Sequence, residues 1–275
     1  MEEDSPREKQ RTNWSIILRL CVVGFFVNCQ PSEPYLSQYL KEDKHLSTQQ
    51  LDDSVWPYDT YGAFFFLLPI GFLAEVISYR GVILSGLLMR EATRLLLLYA
   101  SGLTMMALMQ TTYAAATAAN SIYFSYVFIV LPATHFKLGV TCVRASYHLG
   151  NLCGNLLGQL LRSSAVSVPL RTLFFVSWVN TSIGLAAFMV LPSPVRAAPV
   201  SLLRQWQENG ARASMHSLWK IYRLRVVLVW STWWCFAFGA HNVFDNHYST
   251  FFQEFDKNGA FGFAAAAMEA SSVLG

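Results

Sequence analysis

Residues 103–130 read LTMMALMQTTYAAATAANSIYFSYVFIV, without one charged side chain. A helix needs roughly 20 apolar residues to cross the ~30 Å hydrocarbon core of a bilayer, so this stretch is long enough. Backbone groups in lipid must bond internally, which indicates helices. Similar blocks recur, and we count seven and the start of an eighth: Trp14–Leu40, Trp56–Ser78, Gly81–Tyr99, Leu103–Val130, Phe136–Leu161, Leu170–Leu191, Val226–Phe252 and from Ala260 onward.

The composition agrees with an all-α membrane protein in a lipid bilayer. Hydrophobic residues make up 53% of the chain and charged residues 13%, with a mean hydropathy of +0.33, whereas soluble domains contain about 25% charged residues. The five cysteines lie in apolar blocks without a CxxC pair, so no disulfide or zinc site is indicated. No phosphate-binding glycine loop, nucleophile elbow or HExxH sequence occurs, so we expect neither an enzyme nor a cofactor, and nothing supports nucleic-acid binding.

Basic residues near the ends of spans predict the orientation, because they favour the cytoplasmic side. The gap between the sixth and seventh blocks carries six basic residues against one acid: Arg196, Arg204, Arg212, Lys220, Arg223 and Arg225 against Glu208. This gap is therefore predicted to be cytoplasmic, and with six spans before it the N-terminus is cytoplasmic too. Arg162 and Arg171 flank a predicted outside turn, which is an exception to the rule.

The order of these blocks predicts a carrier built from two six-helix halves. We expect a cytoplasmic N-terminus over 1–13, an N-terminal six-helix bundle over 14–191, a basic cytoplasmic loop over 192–225, and the start of a second bundle over 226–275. The chain stops inside the eighth block, so we expect it to be a fragment in which the second half is truncated.

The turn after the second block resembles the G-x-L-x-D/E…R-G turn of the major facilitator superfamily. Gly71, Leu73, Glu75, Arg80 and Gly81 carry the resemblance. It implies that Glu75 and Arg80 latch a cytoplasmic gate. The alternative is an ordinary short turn, since such turns favour glycine in any case.

The first block is interrupted by Gln30-Pro31-Ser32-Glu33-Pro34. Proline removes a backbone donor and frees carbonyl groups. One interpretation is a span that ends at Cys29 and continues as an outside loop. The other is a broken helix that lines a site, with Glu33 facing a polar cavity.

The third block contains Arg90, Glu91 and Arg94, and the two arginines share a helix face. Ionisable groups at membrane depth are costly and usually face a cavity or a partner. We favour structural pairing, within the cluster or with another span, over solute binding.

Polar side chains form stripes on the fourth and fifth blocks. Gln110, Tyr113, Thr117 and Asn120 form the first stripe, which either lines a pore or permits close helix packing. The second stripe follows the same helical spacing and could face the first: Arg144, His148, Asn151 and Asn155.

The seventh block suggests a rival class, a membrane-embedded metal-dependent enzyme. His241, Asp245 and His247 could be metal ligands or acid/base groups. No further ligand motif accompanies them, and polar and aromatic residues are common near a membrane face. We therefore favour a carrier without a metal.

The chain resembles the reduced folate carrier and thiamine transporter family, whose first span carries a G-F-F…P-S-E-P-F-L…Y-L run. The matching residues here are Gly24-Phe25-Phe26, Pro31–Leu36 and Tyr39-Leu40. The second half adds Trp233-Trp234, Asn246, Asn258-Gly259 and Met268–Ser271, so the resemblance covers nearly the whole chain.

The resemblance implies a twelve-span plasma-membrane carrier of the major facilitator type, whose small-molecule vitamin lies between the two halves. Glu33 and Glu269 would recognise a cationic ring, and Arg144 would pair within the first half. The full set of implied substrate-binding residues is Glu33, Trp56, Tyr61, Gln110, Tyr113, Asn120, Asn246 and Glu269.

The residues that choose the substrate depart from the family pattern. Thiamine carriers have glutamates at the positions matching Gln110 and Asn120, and folate carriers have arginine at the second. Neutral amides at both positions match neither pattern. Four alternatives therefore stay open: a thiamine carrier, a folate carrier, a carrier of another vitamin, and a family member that does not transport. The Pro-Ser-Glu-Pro form of residues 31–34 favours a thiamine-like cation.

Overall fold

The structure, a computed structural model, describes residues 6–76, 78–163, 167–191 and 261–274, with 216, 219–220, 222–237 and 239–240. Within these ranges the side chains of 6–12, 68, 72, 75, 76, 261 and 272–274 are not described. Most of the predicted basic loop and residues 241–260 therefore lie outside the described residues.

The described residues form helices joined by short turns and contain no strand, which confirms the all-helical prediction. The second to sixth predicted spans agree with α4 to α8 to within about two residues at each end. The elements are α1 (Pro6–Asn28), a 3-10 turn (Glu33–Tyr35), α2 (Leu36–Glu42), α3 (Thr48–Ser54), α4 (Trp56–Val76), α5 (Tyr79–Tyr99), α6 (Leu103–Val130), a 3-10 turn (Ala133–His135), α7 (Phe136–Arg162), α8 (Leu170–Met189), α9 (225–237) and α10 (Phe261–Leu274).

Three stretches of the described chain are both long and apolar enough to cross a bilayer: Asn13–Glu42, Leu103–Val130 and Leu170–Met189. Helices α5, of 21 residues, and α7, of 27 residues, are also long enough to cross a bilayer. They carry the charged and polar residues noted above, which lower their mean hydropathy. Polar residues in spans usually face a cavity or another helix rather than lipid. The full number of spans stays a prediction.

Helices α1 and α7 pack closely together. Helix α8 lies against α1, and α10 lies against α7. Helices α4 and α5 pack on α6. Apolar clusters occupy both ends of this bundle. On α5, Ile83 belongs to one cluster and Leu97 to the other, and Arg90 and Arg94 lie between them. The bundle therefore has a polar level between two apolar ends.

A row of glycines lets α7 touch the backbone of the first span. A Cβ atom on Gly150 would lie 2.5 Å from the carbonyl oxygen of Phe25, and one on Gly154 would lie 2.5 Å from the amide nitrogen of Gln30. Gly158 continues the row one turn further on. Small residues spaced four apart permit such close helix packing in membranes.

We predict that Gly154→Ala destabilises the fold by about 1–3 kcal/mol, because the added methyl group overlaps backbone atoms that cannot rotate away. Thermal unfolding of detergent-purified protein measures the change. The matched control is Gly71→Ala on α4, where an added Cβ meets no atom within 4 Å. Equal melting temperatures for the two variants would contradict the packing argument.

Candidate functional site

The first span breaks after Asn28 and resumes as a 3-10 turn at Glu33, a break that both interpretations of the sequence included. Helix α8 supplies partners for backbone groups that the break frees. Asn180 Nδ2 donates to the carbonyl oxygen of Cys29 at 2.7 Å, and the Ser32 amide donates to Ser177 Oγ at 3.1 Å. A broken helix at membrane depth needs such partners, because lipid offers none.

Helix α5 supports the other side of the break through Arg90. Its Nη1 donates to the carbonyl oxygen of Val27 at 3.2 Å and to Asn28 Oδ1 at 3.3 Å. Arg90 is only 7% exposed. Arg90, for which the sequence favoured structural pairing, therefore holds the end of α1.

Arg94, one turn further along α5, forms an ion pair with Glu33 and donates to Ser32 Oγ at 3.4 Å. Glu91 points to α8 instead, where Ser182 Oγ donates to its Oε2 at 2.9 Å. The arginine cluster thus pairs with other spans, and Glu91 does not bridge its two neighbours. Arg94 partly neutralises the carboxylate that the sequence suggested for cation recognition.

A cavity of about 1330 Å³, counted with its open mouth, lies at the polar level of the bundle. Helices α1, α2, α4, α5, α6, α7 and α10 all contribute to its wall. It brings together five of the predicted substrate-binding residues: Glu33, Trp56, Gln110, Tyr113 and Glu269. Its wall also includes Asn28, Gln30, Asp59, Arg90, Arg94, Tyr147, His148, Asn151 and Asn155.

The two polar stripes meet across this cavity along part of their length. Gln110 and Tyr113 come from α6, and three of the four residues on α7 line the same wall. Thr117, Asn120 and Arg144 do not line it. The stripes therefore predicted where the cavity lies, but not how far along each helix it extends.

Glu269 joins α10 to α7 inside the cavity. His148 Nδ1 lies 2.8 Å from Glu269 Oε2, and Asn151 Nδ2 donates to Glu269 Oε1 at 3.0 Å. Both carboxylate oxygens thus have a partner on α7. A ligand that takes the place of either partner would have to displace His148 or Asn151.

The remaining predicted substrate-binding residues lie elsewhere. Tyr61 is 76% exposed on α4, and Asn120 opens onto a separate crevice of about 350 Å³ between α1, α5 and α6. Asn246 lies outside the described residues, as do the rival metal ligands His241, Asp245 and His247. Substrate binding by these residues stays a prediction.

The residues predicted to latch a gate, Glu75 and Arg80, are only partly described. The side chain of Glu75 is not described. Arg80 donates to the carbonyl oxygen of Leu191 and, at 2.9 Å, to that of Met189, so it caps the end of α8. Arg144 lies away from the cavity, with its guanidinium carbon 5.1 Å from the centre of the Phe124 ring, a contact within the first half.

The sequence analysis missed the residues that hold the helices together at the break. Gln159 Oε1 accepts hydrogen bonds from the Tyr35 hydroxyl at 2.9 Å and from the Gly262 amide at 3.0 Å, and so links the first span, α7 and α10. The spacing of Gly150, Gly154 and Gly158 could have indicated this contact surface, since small residues at intervals of four mark helix contacts. No pattern in the sequence pointed to Gln159.

Comparisons with known proteins agree with this architecture. A family model described as "Reduced folate carrier" matches residues 12–200. Thiamine transporter 1 from Mus musculus is 33% identical over 179 residues, which are 65% of this chain and 36% of that protein. Folate transporter 1 from Caenorhabditis elegans is 30% identical over 149 residues, which are 54% of this chain and 33% of that protein.

A third relative, folate-like transporter 2 from Caenorhabditis elegans, is 23% identical over 241 residues, 80% of this chain and 56% of that protein. The chain spans about a third of the length of the first two relatives. All three are transporters by name, which confirms the expectation of a transporter family rather than an enzyme family.

We predict that Glu33→Gln destabilises the protein by about 3 kcal/mol, because it leaves the guanidinium of Arg94 buried without a counter-charge. The side chain of Arg94 is 2% exposed and that of Glu33 34% exposed. The double variant Glu33→Gln/Arg94→Met is expected to recover most of this loss. Denaturant unfolding of the single and double variants gives the coupling energy.

The control for this cycle is Asp52→Asn, which removes an exposed carboxylate from α3. It is expected to change stability by less than about 0.5 kcal/mol. If the stability changes caused by Glu33→Gln and Arg94→Met simply add in the double variant, the ion pair does not stabilise the broken span.

Proposed function

This chain belongs to the reduced folate carrier family, and from that premise we propose that it forms part of a plasma-membrane carrier for a water-soluble vitamin. We favour a thiamine-like cation, moved by alternating access between two helical bundles. The single observation that carries the proposal is the cavity at the broken first span, whose wall combines carboxylates with aromatic rings.

The charge of the wall favours a cation. Three carboxylates line the cavity, those of Glu33, Asp59 and Glu269, against the two guanidiniums of Arg90 and Arg94. The carboxylates and guanidiniums of this part of the wall sum to a charge of −1. A monovalent cation restores neutrality there.

The same wall offers faces for an aromatic ring. Trp56 and Tyr113 line the cavity from adjacent helices, and cations are attracted to such ring faces. We propose that these rings stack on the vitamin while Gln110 bonds its edge. Tyr61, Asn120 and Asn246 remain predicted contacts of the same solute.

We propose that Glu269 couples binding of the solute to the conformational change of the carrier. The carboxylate comes from α10, in the second half, and is held by His148 and Asn151 of the first half. A cationic ligand that takes over a carboxylate oxygen weakens a link between the halves. Ligand binding then favours a conformation in which α10 and α7 separate, which is the differential affinity that alternating access needs.

Folate is the second candidate, because two of the relatives are named folate or folate-like transporters and the cavity holds two guanidiniums. A folate carries carboxylates, which guanidinium groups bind in a bidentate manner. The two candidates differ in the sign of the charge that the wall must recognise, so substitutions at Glu269 separate them.

We predict that Glu269→Gln lowers uptake of labelled thiamine at least about tenfold, because a charge-assisted hydrogen bond is worth about 1.5–3 kcal/mol and 1.4 kcal/mol is a factor of ten. Uptake is measured in cells that express the protein, normalised to the amount at the cell surface. Asp52→Asn, which removes a carboxylate outside the cavity, should transport like the parent protein.

Labelled folate in the same cells tests the second candidate. Thiamine uptake no better than that of empty cells, together with folate uptake above that level, would replace thiamine by folate. Uptake of neither vitamin would overturn the proposal.

A further inference from the structure

A basic and aromatic segment lies exposed where the chain enters α9. Its members are Trp219, Lys220, Tyr222, Arg223 and Arg225, and all five side chains are exposed. We call them the α9 entry segment. The two aromatic side chains are large and apolar, yet Trp219 is 65% exposed and Tyr222 is 54% exposed. The segment is therefore open to whatever surrounds this end of the bundle.

The α9 entry segment lies at the boundary between a polar and an apolar stretch. The amide of Arg223 donates to the carbonyl oxygen of Trp219 at 3.0 Å, which closes one helical turn before the chain bends into α9. After Arg225 no charged residue follows until Asp245. An uncharged stretch of that length is typical of a membrane span. The sequence thus predicts that Arg225 lies where the chain enters the hydrocarbon layer.

No acid balances the bases of this segment. Residues 209–244 contain four bases and neither aspartate nor glutamate: Arg212, Lys220, Arg223 and Arg225. Within the part of the chain that the structure describes, none of the last three forms an ion pair. Arg80 differs, because its guanidinium is bonded to carbonyl oxygens at the end of α8. The α9 entry segment therefore presents three bases without a protein carboxylate.

These features suit the headgroup of an anionic phospholipid. Basic clusters directly beside a span attract the anionic lipids of the cytoplasmic leaflet, and guanidinium groups bind phosphate oxygens through paired N–H donors. Tryptophan and tyrosine side chains prefer the headgroup level, because one end of each ring system is apolar and the other polar. Lipid headgroups surround a span at this depth, which favours lipid over a soluble acidic partner.

We propose that the α9 entry segment binds the headgroup of an anionic phospholipid in the cytoplasmic leaflet. Arg223 and Arg225 bind the phosphate, Lys220 adds to the positive charge, and Trp219 and Tyr222 lie at the headgroup level. The bound lipid fixes the depth at which α9 enters the membrane. The proposal rests on the predicted cytoplasmic position of this segment, and not on which vitamin is transported.

The first experiment measures which lipid the purified full chain retains. The detergent-solubilised protein is mixed with equal amounts of phosphatidylserine and phosphatidylcholine, and native mass spectrometry counts the bound molecules of each. We expect a preference for phosphatidylserine of at least about tenfold, since each base near a membrane surface contributes about fivefold. The variant Arg223→Gln/Arg225→Gln is expected to lower this preference at least about fivefold.

Three further variants separate the proposed site from general effects. Arg223→Lys/Arg225→Lys keeps both charges and should keep most of the preference. Lys137→Gln/Arg171→Gln is the matched control, since it removes two exposed bases elsewhere and should behave like the parent protein. Trp219→Ala is expected to weaken retention of both lipids without changing their ratio. No preference in the parent protein, or an equal loss in the control, would overturn the proposal.

The second experiment tests a soluble acidic partner as the occupant. The protein is placed in lipid nanodiscs of phosphatidylcholine, with or without phosphatidylserine, and a labelled glutamate-rich peptide is added. Weak or absent peptide binding is expected in the discs with phosphatidylserine, because the lipid occupies the segment. Peptide binding that is equally strong in both discs, and lost in Arg223→Gln/Arg225→Gln, would overturn lipid as the occupant. Neither experiment contains a vitamin, so both are independent of the uptake assay.

Discussion

The fold depends on how the broken first span satisfies its backbone inside a membrane. Between Asn28 and Glu33 the chain leaves the helical hydrogen-bond pattern, and lipid cannot replace the lost partners. Side chains do so instead: Asn180 and Ser177 from α8 and Arg90 from α5 bond to the groups around the break. The polar residues of these two helices thus have a structural role before they have any role in binding.

The same constraint explains why a cavity forms at this level. Side chains that support the break must be polar, and several of them, such as Arg90, line the cavity between the apolar clusters at the two ends of the bundle. The glycines of α7 bring that helix against the break, while larger side chains on α5 and α6 line the cavity as well. Predicted binding residues such as Tyr113 therefore share a cavity wall with residues such as Arg94 that pair across the break.

Much of the fold could be predicted from the sequence, because bilayer thickness fixes the length of the apolar blocks. The broken span was also predictable, since Pro31 and Pro34 flank Glu33. The pairing of Arg94 with Glu33 was not, because the two residues are 61 positions apart and only packing brings α5 to the break. The stripe on α6 was misleading at its end, since ten residues at 3.6 per turn rotate Asn120 about 80° from Gln110.

The contact at Gln159 restricts the direction in which α10 can move relative to α7. The amide of Gly262 bonds to Gln159, and a Cβ atom at Gly262 would lie 2.6 Å from the carbonyl oxygen of Asn155, so α10 already touches the backbone of α7. Helix α10 can tilt away from this position but cannot come closer. In the proposed alternating-access cycle, this contact is a mechanical stop that sets one end point for the motion of α10 relative to α7.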